Sequence, residues 1–132
     1  MDLASLRDYL GAKPGAMEDL PFGPEVLVLK VAGKMFALVA WQELPLTLSL
    51  KAEPQQTLLW RELYPAVSAG YHLNKQHWNT VTLDGSLSDE LLQTMIDESW
   101  QRVVAGLKKS ERLALLGPDA RNSMSQNPPR PV

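Results

Sequence analysis

Two β-rich apolar runs, Glu25 to Val31 and Met35 to Trp41, follow one another with only Ala32, Gly33 and Lys34 between them. Glycine supplies the positive φ that a tight reversal requires, so the two runs fold back on each other as a hairpin. A third strand follows, because Leu46, Leu48 and Leu50 alternate with Thr47, Ser49 and Lys51, the period of two expected when one face is wet. The three strands form a meander, and the remaining elements must build around it.

Asp2 to Leu10 reads as a short amphipathic helix, with Leu3, Leu6 and Leu10 at helical spacing, Asp2 placed to cap it, and Gly11 and Pro14 stopping it. Between Gly15 and Pro24 the residues Pro21, Gly23 and Pro24 argue against regular structure, and Phe22 is expected to plug that loop into the core. Pro54 suits a first helical position; Leu58, Leu59 and Leu63 follow at helical spacing, and Pro65 ends that helix. Val67 to His72 and Trp78 to Leu83 are two more extended pieces, the second closed by Asp84 and Gly85. Ser88, with Asp89 and Glu90, opens a long helix whose stripe of Leu92, Met95, Ile96, Ser99, Trp100, Val103 and Leu107 should cover the sheet.

The expected order is α-β-β-β-α-β-β-α, an α+β two-layer domain over residues 1–116 with a five-stranded antiparallel sheet and helices mainly on one face. Apolar anchors thin out from Gly117 onward, so 117–132 reads as a flexible tail.

The 132 residues carry 13 Lys and Arg against 15 Asp and Glu, a formal charge of −2, which is the wrong sign for a general nucleic-acid coat. The charge is unevenly spread, however. Residues 1–98 hold 7 basic and 13 acidic groups, and residues 99–132 hold 6 and 2, so a local basic surface is expected towards the C-terminal end. No cysteine is present, which excludes disulfides, thiolate metal sites and thiol nucleophiles. With no export signal and no apolar stretch of membrane-spanning length, a cytoplasmic protein without membrane contact is expected.

The densest chemistry lies in Gly70, Tyr71, His72, Leu73, Asn74, Lys75, Gln76, His77, Trp78, Asn79 and Thr80. So many polar and aromatic groups form either a recognition surface or a corner locked by buried hydrogen bonds. His72 and His77 lie across a presumed turn, but no third ligand stands at a metal-binding spacing, so no metal or other cofactor is expected. Ser68, His72 and Asp84 have the residue types of a hydrolytic triad without a nucleophile elbow, and Gly33–Lys34 closes a strand hairpin and opens no helix. An enzyme is therefore not expected.

Two blocks of this sequence resemble the MmcQ/YjbR-like family of small bacterial proteins, over about Leu3 to Arg112. The first joins Glu18, Asp19, Leu20, Pro21, Phe22 and Gly23 to the run Leu29 to Phe36, similar to that family's Pro-Phe-Gly and Gly-Lys-Met-Phe pattern. The second is Gly70 to Thr80, similar to its Pro-Gly-Tyr-His-Met-Asn-Lys-Lys-His-Trp-Asn block, with Ser99, Val103, Val104, Leu107, Lys108 and Lys109 similar to its closing segment. Ala69 and Gln76 depart from that pattern, and Gln76 removes one positive charge. The resemblance implies a fold like that of type III secretion chaperones and a DNA-binding role through a sheet likened to a double wing.

On that implication Lys30, Lys34, Lys75, Lys108 and Lys109 would neutralise phosphates, and Tyr71, His72, Asn74 and His77 would contact sugars or base edges. Each lysine also has an ordinary reading: Lys34 suits the wet corner of a turn, and Lys108 and Lys109 suit a helix C-terminus. Tyr71 and Trp78 could stack on unpaired bases. Phe22, Gly33, Gly70 and Trp78 are nevertheless read as structural, and a monomer is expected. The leading expectation is a non-enzymatic DNA-binding protein of low sequence specificity. The rival is a chaperone-like adaptor that takes a peptide on the open sheet face or edge.

Overall fold

The computed structural model describes residues 1–70 and 73–126. Along the chain run α1 (Leu3–Gly11), β1 (Met17–Asp19), β2 (Leu27–Val31), β3 (Lys34–Ala40), β4 (Thr47–Lys51), α2 (Pro54–Leu63), β5 (Val67–Ala69), β6 (Trp78–Thr82), α3 (Asp89–Ala105) and α4 (Lys109–Gln126). The strands form one antiparallel sheet in the order β1-β2-β3-β4-β6-β5.

Local chemistry explains most boundaries. Val31 pairs with Lys34, leaving Ala32 and Gly33 as a two-residue turn with φ of +49° and +76°. Positive φ at both positions marks a turn of the I′ kind, whose twist suits a hairpin. Asp2 caps α1 by accepting from Ser5 N at 2.8 Å, and Ser88 caps α3 by accepting from Leu91 N at 3.1 Å. Glu53 caps α2, with Pro54 in its first turn.

Six strands form where the sequence pattern indicates five. The additional strand, β1, lies in the stretch read as irregular: Pro21, Gly23 and Pro24 all follow it, so Met17, Glu18 and Asp19 are able to pair with Lys30, Leu29 and Val28. Arg7 of α1 binds Glu18 through two hydrogen bonds of 2.8 and 2.7 Å, which fixes this short edge strand to the helix layer. A helix also forms at Lys109–Gln126, where no helix is expected, and it is interrupted at Gly117 (φ +79°, ψ 168°). Leu115 and Leu116 pack against the core just before that break.

On the covered face of the sheet Leu27, Leu29, Val31, Ala37, Val39, Leu48, Leu50 and Val81 meet Leu6 and Leu10 of α1 and Leu92, Met95, Ile96, Trp100 and Val103 of α3. The pairing shifts between Leu29 and Lys30, so Phe36 is an extra residue on β3 and is driven fully into the core. Ser99 of α3 answers this irregularity by donating to Phe36 O at 2.6 Å and accepting from Lys51 N at 2.9 Å.

Two apolar features face outward. Phe22 does not plug the core; it is 59% exposed, on the loop formed by Pro21, Gly23 (φ +103°) and Pro24, and it borders the open face of the sheet. In α2 the buried residues are Thr57 and Trp60, while Leu58, Leu59 and Leu63 point to solvent.

Candidate nucleic-acid interface

The strand register gathers cations that are far apart in sequence. Lys34 begins β3, Lys51 ends β4, and Lys51 pairs with Trp78 at the start of β6, so all three mark the same end of the sheet. Lys75 lies in the turn immediately before β6. Ser99 anchors α3 to Phe36 and Lys51, and the last turn of that helix lies beside Lys51 and His77 through Arg102, with Lys108 and Lys109 following shortly after in the chain. A hollow of about 830 Å³ at this end is lined by Lys51, Glu53, His77, Glu98 and Arg102, among others. His77 Nδ1 and Arg102 Nε are buried there, and neither has a hydrogen-bond partner among the described residues.

The turn that carries Lys75 is held rigidly. Asn74 O accepts from His77 N at 3.2 Å and Trp78 N at 2.9 Å, while Asn74 Oδ1 accepts from Gln76 N at 2.8 Å. The Asn74 side-chain oxygen therefore serves its own turn. His77 O accepts from Ala52 N at 2.9 Å, tying the turn to β4. Arg61 of α2 donates to Lys75 O, to Trp78 O at 3.2 Å and to Asn79 Oδ1 at 2.7 Å. Asn79, 2% exposed, in turn donates to Thr57 O at 3.2 Å, and Thr57 donates to Gln76 O at 3.1 Å. Trp78 is buried, and a Cβ placed on Gly70 would lie 2.9 Å from the Trp78 Cβ, so this crossing admits only glycine without movement. The described part of the run, Gly70 and Leu73 to Thr80, is a corner locked by hydrogen bonds that also presents Lys75 to solvent. Tyr71 and His72, expected to reach sugars or bases, lie outside the described residues.

Ion pairing sorts the cations. Arg7 binds Glu18, Lys13 binds Asp97, and Lys30 binds Asp19 at 2.9 Å. The Lys30 ammonium, with the Leu20 amide, holds the Asp19 carboxyl below its usual range. Lys30 is thus neutralised in place and stands apart from the other four lysines. Lys34, Lys75, Lys108 and Lys109 are exposed, and none of them makes an ion pair among the described residues.

The model of the YjbR family matches residues 11–102, well over half of the chain. The chain belongs to the YjbR family. Uncharacterized protein YjbR of Escherichia coli strain K12 is 36% identical over 116 residues, covering 88% of this chain and 98% of that protein. Uncharacterized protein YbdF of Escherichia coli O157:H7 is 41% identical over 92 residues, covering 70% and 75%. A crystal structure of a Deinococcus radiodurans protein is similar with a TM-score of 0.82 at 40% identity, over 89% of this chain and 90% of that one. Another, from Pseudomonas syringae, gives 0.68 at 26% identity, over 77% and 98%. The α+β architecture is therefore shared with both of these solved bacterial proteins.

In this YjbR-family chain Lys51, Arg102 and Arg61 carry no sequence signal of a place at the site. Lys51 reads as the wet position of an alternating strand, and only the register shows it at the basic end. Arg102 follows the α3 stripe without belonging to it, and Arg61 carries no motif at all.

Proposed function

We propose that this protein is a non-enzymatic binding module that holds a nucleic-acid backbone, DNA first among the candidates, against the basic end of its sheet. The observation that carries this reading is the sorting of cations: Arg7, Lys13 and Lys30 are paired with carboxylates, while Lys34 and Lys75 at one end of the sheet, and Lys108 and Lys109 just beyond the end of α3, are exposed without such pairing among the described residues. Exposed lysines attract phosphates, and binding them releases counterions, whatever the overall charge of the protein. Arg102 and Lys51 stand on the wall of the adjoining hollow, where Glu53 and Glu98 balance them, so the reading rests on the four exposed lysines. A binding role is also favoured by the spent state of the groups that could suggest hydrolysis: Ser68 Oγ donates to Thr80 O at 3.3 Å, and Asp84 accepts from both the amide and the hydroxyl of Ser86.

The adaptor reading in its edge-strand form has less support. Both edges of the sheet, β1 and β5, are only three residues long, so an added strand would gain few main-chain hydrogen bonds.

Fluorescence anisotropy of labelled double- and single-stranded DNA, titrated with the full chain at several salt concentrations, tests the proposal. The expected result is micromolar binding at low salt, with a log-log slope of about −0.9 for each phosphate contacted on duplex DNA. Lys75→Glu combined with Lys108→Glu should weaken it more than about tenfold, whereas Lys30→Gln should change it little. Absence of binding at low salt, or full binding by the folded double variant, overturns the reading.

A further inference from the structure

A second hollow, of about 600 Å³, lies on the open face of the sheet, away from the helices. Leu38, Ala40, Thr47, Ser49 and Thr80 form its floor, and Phe22 and Leu73 stand on loops at its sides. Its volume falls within the range of small-molecule sites, which are typically apolar with few polar groups. The wall is built in advance: Trp41 Nε1 and Gln42 Nε2 both donate to Pro24 O, at 2.7 and 3.3 Å, fixing the loop that holds out Phe22. An aromatic ring kept 59% exposed beside an apolar floor loses contact with water only when something sits against it.

We propose that this groove binds a small amphipathic cation, an apolar body of one or two rings that carries a protonated amine. The sign of the charge comes from Glu43, the only ionisable side chain among the described lining residues. The small size comes from the floor. It is made by β3, β4 and β6, inner strands whose backbone groups are already paired in the ladder. The Ser49 and Thr80 hydroxyls are also bonded to each other at 2.9 Å. A peptide lying there would bury its own amides against a surface with few partners for them, whereas a compact ring buries none. This proposal concerns the opposite chemistry from the basic end and does not depend on it.

The test is a nitrogen-15 amide titration of the full chain with phenethylamine, and with 3-phenylpropionate as an anion of similar size. Saturable millimolar shifts are expected at the amides of Leu38, Ala40, Ser49 and Thr80. Glu43→Gln should weaken binding about tenfold, and Phe22→Ser should abolish it; both side chains are exposed, so both variants keep the fold. Lys75→Glu with Lys108→Glu should leave these shifts intact, which separates this site from DNA binding. The proposal is overturned by unsaturable shifts, by shifts away from the groove, or by equal binding of 3-phenylpropionate. It also fails if an extended apolar peptide binds there and phenethylamine does not.

Discussion

Arg61 Nε and Asn79 Oδ1 lie 2.7 Å apart, joining a helix to a strand through a charge-assisted hydrogen bond in a part-buried site. The same guanidinium donates to two carbonyls around the Lys75 turn, so the pair connects the fold to the presentation of the basic end. Asn79→Ala removes the acceptor for Arg61 and leaves Thr57 O without its donor. A loss of about 1–3 kcal/mol is expected from these unsatisfied groups, read by urea unfolding. Because Arg61→Met breaks the same network, the double variant should lose less than the sum of the two single losses. Strict additivity would show that the two residues do not act together.

Ser99→Ala should cost a similar amount, about 1–3 kcal/mol, since it leaves Phe36 O and Lys51 N without the hydroxyl that serves both. Ser99 is fully buried. Amide exchange at Lys51 should accelerate in this variant, and unchanged protection would refute the bridging role.

Ala32 sits at φ +49°, where a Cβ is strained and glycine is not. Ala32→Gly should therefore raise the melting temperature slightly, with a gain of at most about 1 kcal/mol after glycine's entropy cost. Gly33→Ala should lower it through backbone strain alone, because nothing lies within 4 Å of the added Cβ. Gly70→Ala should be costlier, at about 1–3 kcal/mol, because there the new atom meets Trp78. Equal effects at Gly33 and Gly70 would contradict this distinction.

The Tyr9 phenol donates to Asp97 Oδ1 at 2.7 Å, and burial, followed by that hydrogen bond, pushes its pKa up to about 12. The raised value favours the neutral phenol in the folded chain. Its contribution to stability is therefore complete below the ordinary value of 10.0 and is lost as pH rises towards about 12. Ultraviolet titration should show a late phenolate component that Tyr9→Phe removes. A single tyrosine transition at ordinary pH, identical in both proteins, would refute it.

Elements governed by neighbours in sequence are the legible ones. The hairpin follows from Ala32 and Gly33, the opening and capped long helices from Asp2 and Ser88, and the second helix from Pro54. The strand β1 is missed because three residues beside a Pro-Gly-Pro loop carry no periodicity, and its support comes from Arg7 and Lys30. Phe22 is misplaced for a related reason. Its side chain is apolar enough for a core, but the loop delivers it to the face that no helix covers.

The candidate site is legible only in its ingredients. The run from Gly70 to Thr80 stands out by composition as either a recognition surface or a locked corner, and the excess of cations after residue 98 gives the expectation of a basic region. Which lysines remain available is a different matter, since Lys30 and Lys34 look alike along the chain, yet Lys30 meets Asp19 across a strand pair.

By itself the sequence determined the turns, the caps, the helix and strand periods and the α+β class, because these depend on backbone sterics and side-chain spacing within a few residues. The tertiary structure alone decided the strand order, the outward Phe22, the bridge from Ser99 to Phe36 and the pairing of Lys13 with Asp97. Coulomb attraction and packing act through space, so contacts between residues some sixty to ninety positions apart exist only once the chain has closed on itself.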